Sequence, residues 1–129
     1  MVTNHNQNYR GKLMLVLRRH ETDATALTAS EQQEFWDVLS ITRGPLDRLF
    51  QPDHYNFSFL MNLDRHVHLH VIPRYVNQRD FHGRAFTDGE IGDHYGFENH
   101  RVEPEFREKL ADALRSAGLM PVAGREKGA

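Results

Sequence analysis

The chain of 129 residues contains no cysteine and no long hydrophobic run. Without cysteine it can form neither a disulfide nor a zinc site built on thiolates. No stretch reaches the roughly 20 apolar residues of a membrane span, and no signal peptide is visible at the N-terminus. We therefore expect a cytoplasmic protein with no membrane partner.

The sequence also lacks an excess of positive charge. Its formal net charge is -2 and its pI is about 6.5, whereas proteins that coat nucleic acid are basic. Nucleic acid is therefore not an expected partner. Hydrophobic residues at 39% and charged residues at 26% are ordinary for one small globular domain. We predict a single domain over residues 1–129, with a core at about 11–118 and flexible tails at 1–8 and 121–129.

Histidine, by contrast, is abundant, with 9 copies in the chain. Residues 66–72 read His-Val-His-Leu-His-Val-Ile. Alternate residues of a β-strand share one face, so His66, His68 and His70 are expected in a row on one side of a sheet. The residues expected to enter the core on the other side are Val67, Leu69 and Val71. Because imidazole is both a nucleophile and a metal ligand, the row indicates a metal site, a proton relay or a nucleophile with its helpers.

Several segments are typical of strands. Residues 12–18 form an apolar run that ends in basic residues, and residues 55–61 and 66–75 are separated by a short polar connection. The latter two segments are predicted to pair antiparallel through a hairpin loop at 62–65. Residues 77–96 are predicted to form a loop, with a short strand at 84–86.

Two segments predict helices. Thr28 and Glu31 fit a capping box, and the apolar spacing of residues 29–50 is helical. A kink or a break is expected inside this helix at Gly44-Pro45. Residues 104–117 predict the second helix, which Gly118 should end. The fold class predicted is α+β, an antiparallel sheet with two main helices.

The histidine pattern resembles the signature of the histidine triad family, His-x-His-x-His followed by two hydrophobic residues. Many members continue with Pro-Arg, as Pro73 and Arg74 do here. Residues 11–20 and 27–31 resemble a strand and a helix start of the same family, so the resemblance spans 11–75. It implies the family's α+β fold, in a version without the usual N-terminal hairpin and short helix. It also implies a symmetric homodimer, which is common in the family. The pocket for the nucleoside would then be open, completed by residues 79–95 or by a partner subunit, or poor at binding.

The resemblance also implies an activity. Family members bind a nucleotide at the histidine-bearing face and transfer its nucleotidyl group to water, without a cofactor. The implied substrates are nucleoside phosphoramidates or dinucleoside polyphosphates, attacked at the α-phosphate. By its position in the motif, His68 would be the nucleophile that forms a nucleotidyl-histidine intermediate. His66 and His70 would position it, contact phosphate and assist proton transfer.

Four further residues are candidates for binding substrate. Lys12 stands where many members carry a helper histidine, and it could replace that histidine as a cation. Asn62 is the candidate for an amide contact to phosphate, and Asn56 resembles an asparagine of the family's preceding strand. Arg74 is interpreted either as a phosphate contact or as a surface charge. His20 is expected at the surface or in a dimer contact, and the acidic segment 88–94 in a solvated loop.

Two other functions stay open at this stage. The three histidines could bind a metal in a β-protein, although one ion would reach all three only if the strand bends. Alternatively, the chain could bind nucleotide without turning it over, which the lysine at position 12 would explain.

Overall fold

The computed structural model describes residues 1–4, 6–96, 98 and 100–119, and within them two helices pack on a four-stranded antiparallel sheet. The sheet order is β1-β2-β4-β3, and β5 and β6 form a separate hairpin. The strands are β1 (Val2–Thr3), β2 (Leu13–Val16), β3 (His54–Ser58), β4 (His68–Arg74), β5 (Arg79–Phe81) and β6 (Arg84–Phe86); the α-helices are α1 (Ala29–Phe50) and α2 (Pro104–Ser116). This arrangement confirms the predicted α+β class. No described helix is long and apolar enough to cross a membrane.

The histidine-bearing strand β4 lies inside the sheet, between β2 and β3. Leu69 pairs with Leu15 of β2, and Val71 pairs with Leu13 of β2 and Phe57 of β3. The antiparallel pairing of the two predicted hairpin strands is confirmed. Pro73 lacks a backbone donor, yet its position stays in register, opposite Tyr55.

The connection between β3 and β4 is longer than the sequence suggested, because it spans residues 59–67. Met61 has a φ of +50°, which turns the chain away from the sheet soon after β3 ends. Asp64 accepts a hydrogen bond from the backbone N–H of His66 at 3.0 Å, a local turn that competes with strand pairing. The prediction that the strand begins at His66 is therefore wrong, and β4 begins at His68.

The hydrophobic core lies on the face of the sheet opposite the histidines. Leucine and valine side chains of β2 and β4 meet the inner stripes of both helices there, in a cluster that includes Leu13, Leu69, Val71, Leu46, Phe50, Leu110 and Leu114. Each such side chain stabilises the fold by about 1.5–3 kcal/mol relative to leaving it in water. This packing holds β4 rigidly, so its other face presents side chains at fixed spacing.

Helix α1 begins at the predicted capping box. The Thr28 hydroxyl accepts from the Glu31 N–H at 3.2 Å, and the Glu31 carboxylate accepts from the Thr28 N–H at 3.0 Å. Of the kink or break expected at Gly44-Pro45, the break is absent, and the helix runs on to Phe50. Thr42 and Leu46, on either side of the proline, are both buried, so packing keeps the two halves in one helix.

Helix α2 ends as predicted from its glycine. Gly118 has a φ of +104°, and its N–H donates to the Arg115 carbonyl at 3.0 Å. The helix buries Phe106, Leu110 and Leu114.

The N-terminal residues, expected as a flexible tail, are part of the sheet. Val2–Thr3 pairs with β2, and the buried Gln7 side chain donates to the Lys12 carbonyl at 2.9 Å and accepts from the Gly11 N–H at 2.9 Å. Gly11 has a φ of +87°, which L side chains rarely adopt. The polar composition of residues 1–8 thus supplies hydrogen bonds that shape the turn into β2. The other predicted tail, 121–129, lies outside the described residues.

Candidate functional site

The candidate site is the face of the sheet that carries the triad histidines. Val67, Leu69 and Val71 are at most 3% exposed, while His68 and His70 are half-buried on the opposite face. The alternating burial predicted from the sequence is therefore confirmed. His66 is also half-buried and lies two residues before the strand.

A hydrogen bond fixes the ring of the central histidine. Nδ1 of His68 donates to the backbone carbonyl of His66 at 2.7 Å. Because a carbonyl oxygen can only accept, Nδ1 carries the hydrogen, and Nε2 keeps a bare lone pair whenever the ring is in its neutral form. His68 is thus oriented as a nucleophile requires.

The first histidine is anchored to the neighbouring strand. Nε2 of His66 donates to the carbonyl of Leu17 at 2.6 Å, just beyond β2. Its ring stacks on His20, with 5.7 Å between the centroids and 18° between the planes. His20 is exposed, as expected, but the structure adds it to the row of histidines. Nothing in the sequence signals this contact, because the two residues are far apart along the chain.

The third histidine is held neutral. The ring of His70 meets the ring of His68 edge to face at 4.9 Å, and Nδ1 of His70 is buried without a hydrogen-bond partner in the described part of the chain. Burial, and then the charges of Lys12 and His68, lower the pKa of His70 to about 4. At neutral pH the ring therefore carries no charge.

Lys12 is a buried cation on the same face. It directly precedes β2 and is 7% exposed. Its ammonium donates to the neutral side-chain oxygen of Asn8 at 3.3 Å and forms no ion pair with any described residue. Burial lowers the pKa of Lys12. A buried charge without a counter-charge is costly, so this position favours the binding of an anion.

Arg74 and Asn56 belong to a buried network rather than to an open surface. The Arg74 guanidinium donates to both carboxylate oxygens of Asp88, at 2.7 and 3.2 Å, and to Oδ1 of Asn56 at 2.8 Å. Arg74 is 2% exposed, so its interpretation as a surface charge is wrong, and its occupied guanidinium does not fit a phosphate contact. Asp88 is likewise not solvated as expected: it is buried, and it also accepts from the Tyr75 N–H at 3.1 Å. The network holds the segment after β6 against the end of β4.

Asn62 lies apart from these groups. It is exposed in the loop between β3 and β4 and forms no hydrogen bond with a described residue. The structure therefore brings together Lys12 and the three histidines, joins Asn56 to Arg74, and shows no contact between Asn62 and either group. Asn8, the partner of Lys12, was not singled out from the sequence, which shows no pattern that links it to the triad.

The arrangement does not favour a metal centre. Among the described residues, no group of three His, Asp or Glu side chains is placed to hold an ion. The metal hypothesis therefore gains no support from the geometry.

Comparisons with known proteins identify the fold. No family model and no curated protein sequence matches the chain. Among solved structures, a histidine triad protein from Bradyrhizobium japonicum superposes with a TM-score of 0.62 at 20% identity, covering 89% of this chain and 80% of that one. A hypothetical histidine triad nucleotide-binding protein from Sulfolobus tokodaii superposes with a TM-score of 0.66 at 14% identity, covering 89% and 74%. The chain has the histidine triad fold.

Proposed function

We propose that this protein binds a nucleotide at its histidine face and hydrolyses it, or transfers its nucleotidyl group, through a covalent intermediate on His68. The substrate class is a nucleoside phosphoramidate or a dinucleoside polyphosphate, attacked at the α-phosphate. The name of the Sulfolobus tokodaii neighbour, a nucleotide-binding protein, supports the ligand class.

The observation that carries the proposal is the hydrogen bond from His68 Nδ1 to the His66 carbonyl at 2.7 Å. It leaves Nε2 bare on the half-buried face, beside the neutral ring of His70. A fixed tautomer on a rigid strand supplies both the lone pair and the alignment that an in-line attack on phosphorus needs.

The proposed reaction has two displacements. First, Nε2 of His68 attacks the α-phosphorus; a P–N bond forms, the bond to the leaving group breaks with its electron pair, and the leaving group takes up a proton from solvent, which the proton released from water in the second step replaces. Water then attacks the same phosphorus; a P–O bond forms, the P–N bond breaks, and the products are a nucleoside monophosphate and free His68. A base must take the proton of this water, and we propose the neutral ring of His70 for this role, since its centroid lies 4.9 Å from that of His68.

Lys12 is proposed to stabilise charge on the phosphate oxygens in both steps. Its ammonium lacks a carboxylate partner among the described residues, so an incoming phosphate would supply the missing counter-charge. Asn62 is proposed to contact phosphate as well.

The competing function is a module that binds nucleotide without turning it over. Labelling separates the two: the protein is incubated with an adenosine phosphoramidate or a dinucleoside polyphosphate that is labelled at the α-phosphate. We expect acid-labile, base-stable label on the wild type and none on His68→Ala, whose turnover should fall by several orders of magnitude. His66→Ala and His70→Ala should lose less activity, because the nucleophile remains.

The matched control is His54→Ala, which removes an exposed histidine of β3. It should be labelled and should turn over substrate like the wild type. Near-normal turnover by His68→Ala would refute the assigned nucleophile, and nucleotide binding without release of product by the wild type would favour the non-catalytic module. A cytoplasmic location and a homodimer stay predictions that accompany this proposal.

A further inference from the structure

A second candidate binding site is formed by residues other than the triad. A cavity of about 560 Å³ opens between residues 7–10, residues 84–90 and the segment before α2. Its volume lies within the range of pockets that take small organic ligands, roughly 300–1,000 Å³. Neither the triad histidines nor Lys12 line it. The residues that carry the function proposed above therefore do not form this cavity.

The wall of this cavity contains a buried arginine whose charge is not paired. Arg10 is 5% exposed, and its Nε and Nη1 are buried without a hydrogen-bond partner among the described residues. Arginine is almost never buried in this way unless it is paired, and an unsatisfied buried group calls for an explanation such as a missing ligand. Burial, followed by the charge of Arg84, lowers the pKa of Arg10.

A second arginine reinforces the positive charge at the same place. The guanidinium carbons of Arg10 and Arg84 lie 4.8 and 4.6 Å from the centroid of the same ring, that of Phe106. Two like charges on one aromatic ring repel each other, and ring contacts offset only about 1–2 kcal/mol of the cost. Arg84 has an exposed partner in Glu103 at 2.8 Å, whereas Arg10 has none in the described chain. An anion at Arg10 would remove this imbalance.

The carboxylates around the cavity do not supply that anion. Asp88 is bound by Arg74, Glu90 accepts from the Tyr9 hydroxyl at 3.3 Å, and Glu98 lies 2.9 Å from the ring of His100. Each is engaged elsewhere. Among the described residues that line the cavity, none therefore provides a negative charge to Arg10.

The remaining lining indicates the other part of the ligand. Tyr9 and Phe86 line the cavity, with their rings edge to face at 5.9 Å. Such rings provide flat apolar contact, and an arginine fork recognises carboxylate or phosphate. We propose that this cavity binds a small organic anion, a flat ring that bears a phosphate or a carboxylate, with its charge against Arg10.

The test is a titration of the full chain, followed by the backbone amide signals of an NMR spectrum. The probes share one ring and differ in their charged group: phenyl phosphate, benzoate and benzamidine. We expect one of the two anions to shift the amides of Tyr9, Arg10 and Phe86, and benzamidine to leave them unchanged. Phenyl phosphate and benzoate together distinguish a phosphate site from a carboxylate site. The proposal would be overturned if only benzamidine shifted these amide signals. It would also be overturned if none of the three probes shifted them at a concentration of about 10 mM.

Variants distinguish anion binding in this cavity from anion binding at the triad, and they distinguish a binding role of Arg10 from a purely structural one. Arg10→Gln should weaken binding of the anion at least about tenfold. It should also keep or raise the melting temperature without ligand, because an unpaired buried charge is removed. Arg43→Gln, an exposed arginine of α1, is the matched control and should change neither. A loss of stability in Arg10→Gln with unchanged anion binding would show a structural role and refute the proposal.

Two more variants complete the test. Lys12→Met removes the phosphate contact proposed at the triad, so probe shifts at Tyr9 and Phe86 that persist in this variant belong to the cavity. If Arg10→Gln does not fold, Arg10→Lys is used instead, because it keeps the positive charge but loses the planar guanidinium that can bind an anion through two hydrogen bonds. Weaker anion binding by the lysine variant would then support the proposal, and unchanged binding would contradict it.

Discussion

At the scale of single residues, burial has two effects on the site: it leaves the positive charge of Lys12 without a counter-charge in the described chain, and it disfavours the charged form of His70. His70 is kept neutral beside the buried cation Lys12, and neither has an anionic partner among the described residues. Natural proteins tolerate such local costs mainly at functional sites. Two predictions follow from this pair.

The first concerns pH and stability. The pKa of His70 is about 4 in the folded protein, whereas an ordinary histidine in an unfolded chain has a pKa of 6.5. The unfolded chain therefore binds a proton first as the pH falls, so stability is full above about 6.5 and declines toward about 4. We expect a loss of about 1–2 kcal/mol across this window, after allowance for partial solvent screening. Urea unfolding at pH 7.5 and 4.5 should show it, and His70→Asn should show less dependence on pH.

The second concerns Lys12. Lys12→Met removes the charge next to His70, so the pKa of His70 should rise in an NMR titration of its ring. The same variant should bind a nucleoside monophosphate about tenfold more weakly, since one charged hydrogen bond to phosphate is lost. Lys109→Met, an exposed lysine of α2, is the control. Equal affinity in Lys12→Met and the wild type would remove Lys12 from the site.

At the scale of elements, one ion pair attaches the segment after β6 to the histidine strand. Arg74 ends β4, and Asp88 follows the hairpin of β5 and β6. Asp88 accepts from Arg74, from the Tyr75 N–H and from the Glu90 N–H. This link limits how far the loop can move away from the sheet.

Breaking the link from one side should be costly. Asp88→Asn leaves the Arg74 charge buried and unpaired, and we expect a loss of about 3–5 kcal/mol in the free energy of unfolding. The double variant Arg74→Met with Asp88→Leu removes both charges and should be milder than the single one. Denaturant unfolding of the single variants Arg74→Met and Asp88→Leu and of the double variant gives the coupling directly. Purely additive effects would contradict a tight pair.

Local patterns predicted most of these elements, and contacts distant in sequence account for what they missed. The alternating burial of residues 67–71 and the capping box at Thr28 are each predicted by a local pattern, and both are confirmed, although the strand begins only at His68. The pairing of Arg74 with Asp88, and of His20 with His66, arises only when separate segments meet. No periodicity encodes such contacts. For the same reason the sequence could not show that His70 is held neutral, since burial and Lys12 together cause it.

At the scale of the whole molecule, an aromatic surface lies beside the outer strand of the sheet. The ring of Phe35 is 5.1 Å from that of Trp36 and 5.7 Å from that of Phe59. Trp36 is 61% exposed, Phe59 is 40% exposed, and Phe57 of β3 is 49% exposed. β3 is an edge strand, with backbone groups that no described strand pairs on that side. Contiguous exposed aromatic residues next to a free edge are typical of a protein interface.

We expect a second copy of the chain to cover this surface, as a two-fold dimer buries the same patch on both subunits. Sedimentation should then give about twice the 15.0 kDa of the chain at micromolar concentration. Trp36→Arg should shift the protein to monomer, because a charge at the centre of an apolar contact is not solvated there. Val76→Arg, which changes an exposed apolar residue outside this surface, should remain dimeric. If the wild type is a monomer at every concentration, the dimer prediction is wrong, and the aromatic surface would have to contact a different partner. The histidine face would then have to act within a single chain.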